Sequence, residues 1–153
     1  MADFEVVRQA VIPAQLSTVH TLLADFHEWR KWSPWEDVDP DLRRTFTGPE
    51  SGVGAKYAWA GNRKAGAGNM EIVRDTDREV GVRLEFEKPF KAVNDVRFTL
   101  HPVPDGTEVV WRMTGNRSGL IKVLSKVLPM DNMIGKDFEK GLDRLKTAAG
   151  ARP

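Results

Sequence analysis

The 153-residue chain has no cysteine, which excludes disulfides, thiolate metal centres and cysteine nucleophiles. That suits a reducing compartment, and a cytoplasmic location is the expectation. No apolar run approaches the roughly 20 residues that a membrane-spanning helix requires. The opening MADFEVVRQA is charged and alternating, without the apolar segment of an export signal. Integral membrane contact is therefore not expected. An excess of one charge is missing too: 23 basic and 22 acidic residues are interspersed and leave a net +1. A duplex binder usually carries a basic stripe, so nucleic acid is not an expected partner. Repeats, low-complexity tracts and linkers are also absent. The expectation is a single domain over 1–150 with a tail at 151–153, long enough to bury roughly 70% of its unfolded surface.

Catalytic signatures are scarce. Asp37, Asp39 and Asp41 resemble the start of a calcium loop, but Leu42 stands where glycine is needed and Gly48 where glutamate is needed. A solvated acidic turn is the reading. Gly52-Val53-Gly54 and Gly66-Ala67-Gly68 precede strands rather than helices, so neither is a phosphate loop. His20, His27 and His101 lack zinc-ligand spacing. There is no Gly-x-Ser-x-Gly elbow. Glu71, Glu85 and Glu87 fall on a polar strand face. No metal, cofactor or acid–base pair is expected from these patterns.

What is present is a change of period. Residues 3–12 read as a strand whose faces compete: Phe4, Val6, Arg8, Ala10 and Ile12 against Val7 and Val11. Pro13 opens a helix over about 14–25, with a stripe of Leu16, Val19, Leu22, Leu23 and Phe26. A second short helix over about 26–32 runs into Ser33-Pro34, because proline disfavours helix in the residue before it. From Leu42 the period becomes two. Phe46, then Tyr57 and Trp59, then Met70 and Ile72 mark inward faces of successive strands. Val80, Val82, Leu84 and Phe86 alternate most clearly, and Pro89-Phe90 ends that run. Val96, Phe98 and Leu100 follow, with Asn94 on their apolar face; Asp105-Gly106 signals a hairpin into Val109, Trp111 and Met113. Such strands form an antiparallel sheet covered on one face.

The stretch 119–146 returns to helical spacing, with Leu120, Val123, Leu124, Val127, Leu128, Ile134, Phe138, Leu142 and Leu145 on one face. Pro129 divides it into helices over about 119–128 and 131–147, the second capped by Asp131.

Trp32-Ser33-Pro34-Trp35, Gly52-Val53-Gly54-Ala55 into Tyr57-Ala58-Trp59, Gly106-Thr107-Glu108-Val109-Val110-Trp111 and Asp137-Phe138-Glu139-Lys140-Gly141-Leu142 resemble the polyketide cyclase/dehydrase branch of the START-like superfamily. The resemblance spans about 4–147. It implies an α+β helix-grip fold: a curved seven-stranded antiparallel sheet wrapped around a long C-terminal helix, with two short helices between strands 1 and 2. It also implies a cavity for lipids, sterols, hormones or polyketides.

The candidate ligand-binding residues are then Trp35, Phe46, Tyr57, Trp59, Met70, Phe86, Phe90, Asn94, Phe98, Trp111, Met113, Ile134 and Phe138, with core packing as the competing role for each. Tryptophan and methionine suit an adaptable apolar site better than a dense core. A buried Asn94 needs a hydrogen-bond partner. Trp29 and Trp32 fit one helix face, while Trp35, beyond Pro34, is placed at a pocket mouth; anchoring of the helical segment is the equal alternative. Arg8, Arg44 and Arg74 are in phase with apolar neighbours but are expected to reach solvent past their stems. Three functions fit: a carrier of a small hydrophobic molecule, acting as monomer or homodimer; a cyclase or dehydratase; and a membrane-surface or protein-interaction module built on 119–128.

Overall fold

A computed structural model describes residues 4–36, 39–63, 65–88, 91–115 and 130–150. Seven strands follow in chain order: β1 (Phe4–Ile12), β2 (Arg43–Thr47), β3 (Lys56–Ala60), β4 (Ala67–Thr76), β5 (Glu79–Lys88), β6 (Ala92–Val103) and β7 (Gly106–Gly115). Helix α1 (Leu16–Ala24) and a 3-10 turn (Glu28–Lys31) lie between β1 and β2, and α2 (Met130–Gly150) ends the described chain. All the strand pairs are antiparallel, in the order β1-β7-β6-β5-β4-β3-β2. The chain thus leaves one sheet edge after β1, crosses under the sheet through α1, and meanders back from the other edge. This is the helix-grip architecture. Among the described residues no helix is long and apolar enough to cross a membrane.

The ambiguity of β1 is resolved by its neighbour. It pairs with β7 so that Val6 faces Met113, Arg8 faces Trp111 and Ala10 faces Val109. The inward phase of β7 is unambiguous, so the even-numbered residues of β1 point inward. Val6 and Ile12 are buried and Val11 is exposed.

The two short helices are joined by side chains. A helix leaves its last carbonyls without intrahelical partners. In α1 the Leu22 and Leu23 carbonyls accept the Trp32 and Trp29 Nε1–H groups at 2.8 and 2.9 Å, and the Ala24 carbonyl accepts the Gly52 N–H at 3.0 Å. Trp29 and Trp32 are therefore anchors. The segment they stand on is a single 3-10 turn over Glu28–Lys31 rather than a helix over 26–32.

Several local expectations are corrected. Asp39 is buried, and its carboxylate accepts the Asp41 N–H (2.9 Å) and the Asn62 N–H (2.7 Å), tying the β3–β4 turn; it is not part of a solvated turn. The hairpin expected at Asp105-Gly106 joins β6 to β7, with Gly106 already paired with Val103. Its φ of +145°, hard against the Ile12 carbonyl, is what demands glycine. Helix α2 already includes Met130, so Asp131 lies within it rather than capping it. The segment 119–128, Pro89 and Phe90 lie outside the described residues.

In β4 a register shift between Ile72 and Arg74 leaves Val73 as an extra residue. The bulge turns Arg74 out to solvent beside Glu79, as its snorkelling stem led one to expect. It also brings Asp75 to His20 Nε2 of α1 at 2.6 Å.

Candidate functional site

The inner face of the sheet is not uniformly covered. At the end nearest α1, the inward residues Ile12, Ile72, Val80, Val82, Phe98, Leu100 and Val109 are at most 1% exposed. Along the same strands toward the other end, Met70, Leu84 and Phe86 are only half-buried, as are Phe46 and Trp59 on β2 and β3 and Ile134 on α2. The half-open region is an apolar, aromatic wall on β2–β5. Trp59 and Phe86 meet edge to face at 5.8 Å, and Phe46 and Tyr57 at 5.2 Å. The Trp59 Nε1–H is spent on the Ala65 carbonyl at 2.9 Å.

At the β2 edge of this wall stands a charged cluster. Glu36 Oε1 accepts the Tyr57 hydroxyl at 2.9 Å, and Glu36 Oε2 accepts Arg44 Nε–H at 2.7 Å. Arg44 Nη2 also donates to the Glu36 carbonyl at 2.9 Å. The side chains of Glu36 and Arg44 are 10% and 18% exposed. Arg44 thus does not reach solvent as expected; facing inward, it needed a carboxylate, and the loop after Trp35 supplies one. Burial, then the charge and hydrogen bond of Glu36, push the Tyr57 hydroxyl well above its ordinary range, so it stays protonated. Burial alone would lower the Arg44 guanidinium, but the hydrogen bond and charge of Glu36 outweigh it and raise it.

Arg8 reaches the solvent edge, as expected, with its side chain 26% exposed. It lies on the inner face of β1, donating to the Val7 carbonyl at 2.7 Å and to Glu139 Oε2 of α2 at 3.3 Å. A side chain at Gly135 would meet its guanidinium, the flexible end of which would have to shift aside.

The remaining predicted residues divide. Trp111 is stacked on Phe138 at 4.0 Å and 7°, and a side chain at Gly141 would meet its ring at 2.8 Å. Phe98 sits among Trp29, Trp32 and Trp111, with ring centroids 5.0–5.9 Å away. These three predicted residues are enclosed. Trp35, by contrast, is 40% exposed and edge-on to both Trp111 (6.0 Å) and Phe138 (6.2 Å). Met113 and Asn94 are each 5% exposed on the inner face. Glu36 was missed by sequence reasoning. The signal for it was Arg44 itself, a cation in an inward phase.

The chain belongs to the family described as polyketide cyclase/dehydrase and lipid transport, whose profile matches residues 3–150. No curated protein matches the sequence. Among solved structures it is similar to CalU16 from Micromonospora echinospora (17% identity, TM-score 0.62, 96% of this chain and 76% of that one). It is also similar to DynU16, a protein of the dynemicin biosynthetic locus (14%, 0.66, 97% and 48%). A third is the Aha1 dimer from Colwellia psychrerythraea (14%, 0.67, 97% and 97%). At these identities the likeness is one of fold.

Proposed function

We propose that this family member binds a small apolar or aromatic molecule, lipid- or polyketide-like, against the half-open inner wall. The observation that carries the reading is the unequal burial of one sheet face. Phe46, Trp59, Met70, Leu84, Phe86 and Ile134 point inward yet keep exposed surface, while their counterparts at the α1 end are sealed. A soluble protein gains by covering such surface, and a ligand of about 300 Å2 apolar area would contribute roughly 7 kcal/mol at 25 cal/mol per Å2, before association costs. Micromolar affinity follows. Tyr57, Asn94, Met113 and Trp35 border this wall in the proposal, whereas Phe98, Trp111 and Phe138 act behind it as packing.

A cyclase or dehydratase is the second reading, favoured by a carboxylate and a phenol side by side at the wall. Both Glu36 oxygens are engaged, by Tyr57 and by Arg44, which leaves no unoccupied base there. Binding is therefore preferred. The family's description, and a neighbour from the dynemicin biosynthetic locus, support a polyketide-like cargo.

Titration with N-phenyl-1-naphthylamine tests the proposal, with saturable fluorescence enhancement at micromolar probe as the expected result. Native mass spectrometry of the purified protein should in addition reveal any non-covalent adduct that disappears on denaturation. A folded protein that shows no saturable probe binding overturns the reading.

A further inference from the structure

We propose that the Asn94 carboxamide selects neutral ligands that carry a carbonyl or hydroxyl group; the inference rests on the binding reading above and names its ligand class. Asn94 lies on the inner face of β6, opposite Leu84 on one side and Gly115 on the other. It is 5% exposed, and none of the side-chain hydrogen bonds seen among the described residues involves its carboxamide. Among the described residues the other polar groups along the wall are already engaged. Tyr57 and Arg44 are held by Glu36, Trp59 by the Ala65 carbonyl, and Arg8 by Glu139. Trp111 Nε1 has no partner either, but it is sealed from solvent behind the stacked Phe138.

A carboxamide offers two N–H donors and one carbonyl acceptor. Left unpaired in an apolar setting it is costly, so an occupant that pairs with it gains over a hydrocarbon of the same shape. Nδ2–H would donate to a ligand carbonyl, or Oδ1 would accept from a ligand hydroxyl. Among the described residues an anionic ligand finds no such complement. The inward arginines Arg8 and Arg44 already hold carboxylates, and an amide does not repay the desolvation of a charge. The ligand class is thus a neutral aromatic ketone, phenol or similar oxygenated apolar molecule.

The test displaces N-phenyl-1-naphthylamine with 2-acetylnaphthalene, 2-isopropylnaphthalene and 2-naphthoate, using wild type, Asn94→Leu and Asn94→Ala, each checked for folding by circular dichroism. The expected result is a ketone-to-hydrocarbon affinity ratio about tenfold higher in wild type than in either variant. In wild type, naphthoate should be the weakest of the three. An unchanged ratio in a folded variant overturns the role of Asn94 while leaving the binding site standing. Naphthoate bound as tightly as the ketone overturns the neutral-ligand class from the wild type alone, even if both variants fail to fold. Absence of probe binding to folded wild type overturns both this inference and the binding reading.

Discussion

The two ends of the inner sheet face are built from the same strands and the same alternation, yet they do different work. At one end Val80 and Val82 are sealed, and further along β5 the next two inward residues, Leu84 and Phe86, are not. The difference is what lies on them. Helix α1 touches β5, β6 and β7, and the 3-10 turn brings Trp29 and Trp32 onto Phe98. Helix α2 lies chiefly along β1. Coverage, not strand composition, separates core from wall.

The largest expected effect tests that separation directly. Phe98→Ala should destabilise the fold by about 3–5 kcal/mol in chemical denaturation, as for a large enclosed aromatic side chain. Phe86→Ala should cost only about 1–2 kcal/mol, in proportion to its partial burial, but should weaken N-phenyl-1-naphthylamine binding several-fold. Equal costs, with binding untouched in both, would erase the distinction between the two ends.

The next effect concerns the edge cluster. Glu36→Gln removes the partner of Arg44 and should cost about 1–3 kcal/mol. Because Tyr57 is the chain's single tyrosine, phenolate absorbance reports on it alone. Wild type should show no phenolate until well above the ordinary value of about 10. In Glu36→Gln the onset should move down, since the charge and hydrogen bond that oppose ionisation are gone. Burial remains, so the shift should be partial.

The same group makes stability depend on alkaline pH. The folded Tyr57 holds its proton more tightly than the unfolded one, so between about pH 10 and the raised folded value the native state binds more protons. Its contribution is fully present below pH 10 and is lost as pH rises through that window. Denaturation midpoints measured from pH 9 upward should fall more steeply in wild type than in Tyr57→Phe.

The smallest effect compares two arginines that look alike in sequence. Arg74→Ala should change stability by less than about 0.5 kcal/mol, since its side chain is 60% exposed. Arg44→Ala should cost more, by leaving Glu36 buried without its cation. Urea midpoints of the two variants make the comparison.

Much of the frame was legible because its signals are local. Alternation marked β2–β7, proline marked the start of α1, and Asn94 stood out as polar on an apolar face. Other features depended on residues far apart in the chain. The phase of β1 could not be read until β7 lay beside it. Arg44 and Arg74 share an in-phase position, but only a bulge at Val73 sends one outward, and only the loop carrying Glu36 gives the other a partner. Asp39 looked solvated because the Asn62 N–H it accepts lies in a later turn.

By itself, then, the order of amino acids determined the strands, helices α1 and α2 and which residues of β2–β7 share a face, since period and turn chemistry act over a few neighbours. The tertiary structure decided which part of that face is covered. Burial, that of Asn94 included, and ion pairing are set by contacts between distant segments, and these exist only once the sheet has closed in register over α1 and α2.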